Sequence, residues 1–183
     1  DQHTCAIYSG SGFDRGHLAA RDELNRSRRA QLNSYLISNI LPQFPNHTQT
    51  TWKHLEEDVN NQAHLSDSID VMTVIIFDYD GDGNPDDKAS VATISGSRPL
   101  AVPSHIYKIL LKKHPGDSVS VLGIMTPHDN LRRKKHMALN YIQNSCLSSV
   151  DQIEKASGFN FYWLLNNEME DKVESFVPSS LWE

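Results

Sequence analysis

The pattern of apolar and polar residues predicts several separate strands. Residues 71–77 are apolar and β-branched, as in a buried strand, and residues 90–94 are expected to pair with them across an Asp/Gly-rich turn. Further strand candidates occupy residues 35–41, 105–111 and 118–125. Antiparallel strands of this kind, interspersed with separate helices, predict an α+β fold.

Three segments have the spacing of helices. Residues 50–63 repeat apolar positions every three to four residues. Residues 23–32 are expected to form a shorter helix, and residues 150–156 a third one that ends at Gly158. Residues 1–20 are small and polar, which indicates a loop that ends in a short extended piece.

Composition narrows the class of protein. The chain has 183 residues and a mass of 20.7 kDa, which suits one domain spanning residues 1–183. Its longest apolar stretches are too short to span a bilayer. A net charge of −6 argues against binding nucleic acid through bulk positive charge. Basic residues do cluster at residues 132–136, either as a solvated loop or as a patch that tracks phosphates.

The run Asp14-Arg15-Gly16-His17 groups residue types that phosphodiester cleavage needs. A histidine, with an unperturbed pKa of about 6.5, can take a proton from water near neutral pH. An arginine offers a planar donor fork for phosphate, and a glycine permits a tight backbone turn. A lone histidine is usually an ordinary surface or core residue, so it is this context that makes His17 a candidate base.

Four blocks of the sequence resemble the DNA/RNA non-specific endonucleases, a family of His-Me finger nucleases. The run FDRGHLAA at residues 13–20 is similar to the signature of that family. The other blocks are similar to its Asn-x-x-Pro-Gln strand with the following Trp-x-x-Leu-Glu helix, its Pro-x-x-(aromatic)-Lys strand and its Ile-Glu-x-x-(Ser/Thr)-Gly-x-x-Phe segment. They occupy residues 35–43 with 52–56, residues 102–108 and residues 149–161, in the order of the family.

The resemblance implies a ββα-metal fold with a central antiparallel sheet flanked by helices. It implies that His17 is the general base that activates water, that Arg15 binds the scissile phosphate, and that Asn39 holds the site in shape. Glu56 would bind water around a Mg²⁺ or Mn²⁺ ion, and the backbone of DNA or RNA would be the partner. The implied reaction is metal-dependent hydrolysis of DNA and RNA without sequence specificity.

Two features depart from the family pattern. Its direct metal ligand is an Asn nine positions after the residue that matches Asn39, and this position holds Thr48. Mg²⁺ prefers hard oxygen ligands, and a neutral hydroxyl donates more weakly than a carboxamide oxygen. The family also has several tens of residues before its signature, whereas thirteen residues precede Asp14. The remaining portion is therefore expected either on a separate chain of the same precursor or to be absent.

Residues 78–88 look like an inserted Ca²⁺-binding hairpin loop. Carboxylates recur at every second position around Gly83, much as in an EF-hand, although the twelfth position holds Ala89 instead of Glu. The alternative is an acidic, solvated turn. The predicted Ca²⁺ ligands are Asp78, Asp80, Asp82, Asn84 and Asp86.

Processing signals favour a secreted or extracellular protein. Asn25 and Asn46 lie in Asn-x-Ser/Thr sequons that would accept glycans, and the chain starts at Asp1 without an initiator Met. Cys5 and Cys146 are candidates for one disulfide, but Cys5 could instead tether a second piece of the precursor.

Two functional hypotheses follow from these features. The first is an active, Mg²⁺-dependent nuclease with His17 as base. The second is a Ca²⁺-stabilised extracellular protein that inherited the nuclease fold, has weak or no catalysis and serves a binding or structural role. The two differ most at Thr48, because the loss of a metal ligand would weaken catalysis and leave the fold intact.

Overall fold

The strands of this protein pair antiparallel throughout the part that the structure describes. A computed structural model describes residues 5–66, 68–96, 99–114, 119–165 and 167–182. Separate helices interrupt the strands, which confirms the predicted α+β class. In chain order the elements are a 3₁₀ turn (Cys5–Tyr8), β1 (Asp14–His17), α1 (Arg28–Asn33), a 3₁₀ turn (Ile37–Asn39), β2 (Ile40–Gln43), a π-helical turn (His47–Trp52), α2 (Lys53–His64), β3 (Ile69–Ile76), β4 (Thr93–Ile94), β5 (Leu100–Ala101), β6 (His105–Lys113), β7 (Val119–Pro127), α3 (Lys135–Ser145), β8 (Leu147–Ser148), α4 (Val150–Ser157) and α5 (Asn167–Glu174).

The largest sheet has four strands in the order β3-β6-β7-β8. β6 lies inside it and pairs with β3 and β7 over most of its length. Two smaller sheets accompany it, one formed by β1 and β2 and the other by β4 and β5. The β1-β2 ribbon leads through the π-helical turn directly into α2, so these elements form a ββα unit.

The two faces of β6 serve two hydrophobic cores. Ile106 and Leu110 pack with side chains of α2 and α3, whereas Tyr107, Ile109 and Leu111 pack with side chains of α4 and α5. This alternation follows from the two-residue period of a strand. Helices therefore cover both faces of the sheet, and the ββα unit lies on the first of them.

The predicted partner of the strand at residues 71–77 is wrong. That strand is β3, but it pairs with β6, while β4 pairs with β5. β6 offers nine residues with apolar side chains on both faces, whereas β4 has only two residues. The longer strand buries far more apolar surface against β3, and the segment between β3 and β6 forms the separate β4-β5 sheet.

Several helix predictions are confirmed with shifted boundaries. The helix expected at residues 50–63 is α2 with the π-helical turn before it, and the one expected at residues 23–32 is the shorter α1. In α4 a capping box between Ser149 and Gln152 starts the helix, and Gly158 ends it with φ of 72°. α3 and α5 were not predicted, because their apolar spacing is weaker than that of α4.

The predicted disulfide between Cys5 and Cys146 is not formed, since Cys146 carries a free thiol. Cys146 follows α3 and is 1% exposed. Burial is the main cause that raises the pKa of this thiol to about 11. A neutral thiol of this kind packs as a small apolar side chain. The side chain of Cys5 lies outside the described part of the structure.

Among the described residues, the helices are all too short or too polar to cross a membrane.

Candidate active site

His17 ends β1, where it lies opposite Ile40 of β2. Its ring is partly buried and meets Tyr35 edge-on, with 5.7 Å between ring centroids. Burial and, second, the charge of Arg15 lower the pKa of His17, so the imidazole is neutral near pH 7. Its Nε2 is buried and makes no hydrogen bond with any described residue. Arg15 itself is exposed, on the same face of β1 as His17.

Asn39 fixes the chain that follows His17. Its Oδ1 accepts the N–H of Ala19 at 3.0 Å, and its Nδ2 donates to the carbonyl oxygens of Ala19 and Ser34, each at 2.9 Å. The carbonyl oxygen of Asn39 also accepts the N–H of Leu18 at 2.9 Å. These bonds use both ends of the carboxamide, so Asn39 positions the backbone beside the histidine.

Thr48 lies in the π-helical turn, where Gln43 holds its hydroxyl. The hydroxyl donates to Gln43 Oε1 at 2.8 Å and also lies 3.3 Å from the carbonyl oxygen of Phe44. Gln43 is fully buried and packs over Gly16, where an added Cβ would lie 2.2 Å from the Gln43 Cδ. Gly16 is therefore needed for this close approach inside a strand, and not for the tight turn expected from the sequence.

Glu56 is a largely buried carboxyl group of α2. Burial is the main cause that raises its pKa to about 7, and the charge of Lys108 opposes this effect. Lys108 projects from β6 and is fully buried, with its Nζ 2.8 Å from Glu23 Oε1 and 5.2 Å from the ring centroid of Trp52. The other carboxylate oxygen of Glu23 accepts the N–H of Ala20 at 3.1 Å. One buried cation thus neighbours two carboxyl groups and ties the chain after β1 to the central sheet.

The structure places the predicted nuclease residues on one ββα unit. No hydrogen bond between described residues joins His17 to Thr48 or Glu56. The groups are nevertheless chemically complementary. Arg15 is an exposed cation, His17 is a neutral base, and Thr48 and Glu56 carry oxygen donors. Arg15 and His17 lie on β1, Asn39 lies immediately before β2, and Thr48 and Glu56 lie on the helical segment after β2.

The acidic loop brings together three of its five predicted ligands. Carboxylate oxygens of Asp78, Asp80 and Asp86 lie within 4.8 Å of one another. Two backbone N–H groups of the loop donate to the Asp78 carboxylate, at 2.8 and 3.0 Å. Asp82 and Asn84 are exposed and outside this group, and the Asp82 carboxylate accepts the N–H of Asn84 at 2.7 Å.

The two sequons differ in their surroundings. Asn25 is exposed. Asn46 is half-buried, its Nδ2 donates to the carbonyl oxygen of Asn130 at 2.8 Å, and its backbone N–H donates to Asn130 Oδ1 at 3.1 Å. Asn25 is therefore the more accessible acceptor for a glycan.

The basic run at residues 132–136 is only partly available to phosphate. Arg133 forms two hydrogen bonds with the Asp129 carboxylate, at 2.7 and 2.8 Å, and lies over the ring of Tyr141. Lys135 pairs with Glu57 at 3.0 Å. Two of the basic side chains thus hold the start of α3 in place.

The roles of Lys108 and Gln43 are not predicted from the sequence. A signal for Lys108 exists, because it lies between Ile106 and Leu110 on one face of an otherwise apolar strand. A lysine at a core-facing position requires an acidic partner nearby. No comparable signal exists for Gln43, since its role depends on the register that puts it beside Gly16.

The chain is similar in sequence to known nucleases. The sequence model of the DNA/RNA non-specific endonuclease family matches residues 1–167. The chain is 31% identical to mitochondrial endonuclease G of Bos taurus over 160 residues, which is 86% of this chain and 50% of that protein. It is equally similar to the Homo sapiens endonuclease G (31% over 160 residues, 86% and 51%) and is 24% identical to a nuclease of Nostoc sp. over 178 residues (96% and 60%). The chain thus spans about half the length of the two endonuclease G proteins.

Proposed function

Because the chain belongs to the DNA/RNA non-specific endonuclease family, we propose that it hydrolyses the backbone of DNA and RNA without sequence specificity. The observation that carries this proposal is the state of His17. Its imidazole is neutral, and its buried Nε2 makes no hydrogen bond with a described residue. Such a base can take a proton from an attacking water molecule. The family match favours this function over that of an inactive, Ca²⁺-stabilised binding protein.

The residues of the ββα unit divide the work of this reaction. Water would lose a proton to His17 while its oxygen bonds to phosphorus. The bond from phosphorus to the 3′-oxygen would break, the departing 3′-oxygen would take up a proton from solvent, and His17 would return its proton to solvent. The exposed guanidinium of Arg15 would bind the non-bridging oxygens of the phosphate. Asn39 would keep the backbone beside His17 fixed and make no contact with the substrate. None of these interactions is with a base, so the sequence of bases would matter little.

The divalent metal ion of the family, commonly Mg²⁺, fits the oxygen donors of this site. Glu56 is a buried carboxyl group with a raised pKa, which shows that the nearby positive charge does not fully offset its burial. The Thr48 hydroxyl donates its proton to Gln43, which leaves oxygen lone pairs for a cation. We propose that Thr48 and Glu56 hold Mg²⁺ or Mn²⁺, directly or through water. When bound, the ion would stabilise the charge that develops on the phosphate.

Cleavage of plasmid DNA and of RNA in Mg²⁺ or Mn²⁺ tests the nuclease function. Wild-type protein should degrade both and EDTA should stop it. We expect His17→Ala to lower the rate at least ~10²-fold, the scale of general-base catalysis. His64→Ala is the matched control, because His64 is exposed at the end of α2. An inert wild-type protein, or equal rates for the two variants, would contradict the proposal.

Thr48→Asn tests the metal site separately. An Asn carboxamide oxygen is a better donor to Mg²⁺ than a hydroxyl, so the Mg²⁺ concentration for half-maximal cleavage should fall. If that concentration is unchanged in the variant, Thr48 does not bind the ion.

We also propose that Asp78, Asp80 and Asp86 bind Ca²⁺ in the loop at residues 78–88. The convergence of their oxygens supports this, and Ca²⁺ accepts such flexible carboxylate sites. An extracellular location, where Ca²⁺ is abundant and Asn25 and Asn46 can be glycosylated, agrees with it.

The glycosylation can be tested on protein expressed through a secretory pathway. Enzymatic removal of N-glycans should lower the mass of this protein. An unchanged mass would contradict glycosylation at both sequons.

A further inference from the structure

A second acidic group lies on the opposite side of the central sheet from Glu56 and Lys108. Asp151 and Glu154 lie three residues apart on α4, and Glu174 is the last residue of α5. Carboxylate oxygens of these three residues lie within 4.8 Å of one another. Two consecutive helices therefore place their acids at one point.

The state of Glu174 distinguishes this group from an ordinary acidic surface. Glu174 is only 7% exposed, and its Oε1 is buried without a hydrogen-bond donor among the described residues. An unsatisfied buried carboxylate oxygen is costly. The hydroxyl of Tyr162 is also buried without a partner among the described residues. After burial, the charges of Asp70, Glu174 and Glu154 contribute to the raised pKa of that hydroxyl. Two unpaired oxygen atoms thus lie near the same group of acids.

The described residues supply no positive charge to this group. None of their salt bridges includes Asp151, Glu154 or Glu174. Lys155 is the basic residue next to Glu154 in sequence, but its side chain is directed to the acidic loop. Its Nζ lies 3.4 Å from the position that a Cβ added at Gly83 would take.

The neighbouring acids increase the repulsion within the group. Burial, followed by the charges of Glu154 and Glu170, raises the pKa of Glu174 to about 7. When all three carboxyl groups are ionised, the group holds excess negative charge in a partly buried place, where a cation would be strongly attracted.

We propose that Asp151, Glu154 and Glu174 form a binding site for a divalent cation, which joins the end of α5 to α4. The donors are all carboxylate oxygens, the class of ligand that Ca²⁺ takes in flexible numbers and geometries. The ion would give Glu174 Oε1 the partner that it lacks. The site lies against the core of α4 and α5, so it is distinct from the nuclease site and from the loop at residues 78–88.

Calcium titration tests the site in a protein whose other acidic sites are removed. The background variant carries Glu56→Gln, Asp80→Asn and Asp86→Asn. Isothermal titration of this variant with Ca²⁺ should show one equivalent bound, and further substitution by Glu154→Gln and Glu174→Gln should abolish it. No binding by the background variant, or equal binding after the two further substitutions, would overturn the proposal.

Hydrogen exchange of the wild-type protein gives a local readout that does not depend on the background. Ca²⁺ should slow amide exchange in α5 when compared with the metal-free protein, because the ion joins α5 to α4. Glu154→Gln/Glu174→Gln should remove this protection, whereas the matched control Glu168→Gln, an exposed residue of α5, should retain it. Gln has the size of Glu without its charge, so the variant should fold, and its circular dichroism spectrum checks this. If Ca²⁺ does not change the rate of amide exchange in α5 of the wild-type protein, the proposal is also overturned.

Discussion

Glu56 should reduce the stability of the fold at neutral and alkaline pH. The pKa of this carboxyl group is raised from 4.5 to about 7, chiefly by burial. Each pKa unit is worth about 1.4 kcal/mol, so the raised value corresponds to roughly 3 kcal/mol. A raised folded-state pKa means that the folded protein holds the proton more tightly than the unfolded chain. No penalty exists below pH 4.5; the penalty grows as the pH rises to about 7 and is constant above that.

Glu56→Gln removes the ionisable group and keeps its size. The variant should therefore be more stable than the wild type at pH 8, by about 2–3 kcal/mol, and equally stable at pH 4. For a chain of this length the difference corresponds to a rise in Tm of roughly 4–10 °C. The same substitution should lower nuclease activity, because the negative charge of the proposed metal-binding carboxylate is lost.

Thermal unfolding in EDTA at pH 4, 6 and 8 measures this effect. Glu57→Gln is the matched control, because Glu57 is the next residue, is more exposed and has a lowered pKa owing chiefly to Lys135. Its removal should lower Tm slightly at pH 8. Adding Mg²⁺ should narrow the gap between wild type and Glu56→Gln, since the ion would stabilise the ionised carboxylate. A Glu56→Gln protein that is less stable than wild type at pH 8 would refute the argument.

Three further perturbations test the packing around the site and the acidic loop. Gly16→Ala should destabilise the fold by about 1–3 kcal/mol through overpacking against Gln43, and Gln43→Ala in the same protein should recover part of the loss in a urea titration. Lys108→Met should cost about 3–5 kcal/mol because it removes the cation that pairs with the partly buried Glu23 carboxylate; if Glu23→Gln restores none of that stability, the pair is not the cause. Ca²⁺ should raise the Tm of the wild type more than that of Asp80→Asn, and equal rises would contradict a Ca²⁺ ion in the loop.

The sequence predicted the elements of the site better than their connections. The strand ending at His17, the helix bearing Glu56 and the cap at Gly158 follow from local patterns: a short extended run, apolar periodicity and a glycine stop. The pairing of β3 cannot be predicted from its local sequence, because two later segments compete for it. The nearer one, residues 90–94, was expected, but β3 pairs with β6.

The hydrogen-bond partners and burial of the site residues also cannot be predicted from the local sequence. The family resemblance implies an Asn at the position of Thr48, but only the fold shows that the Thr48 hydroxyl donates a hydrogen bond to Gln43. The buried state of Glu56 likewise depends on the sheet that covers α2, whose charged member Lys108 comes 52 residues later in the chain.

The π-helical turn at His47–Trp52 makes the length of the connection between β2 and α2 part of the site. A π-helical turn is one residue wider than an α-helical turn, and each residue of a helix rotates the side-chain direction by roughly 100°. Deleting one residue here would turn Thr48 away from Gln43 while β2 and α2 kept their own cores. Alignments in which this segment shortens by one residue should therefore mark chains that keep the fold and lose the proposed metal site.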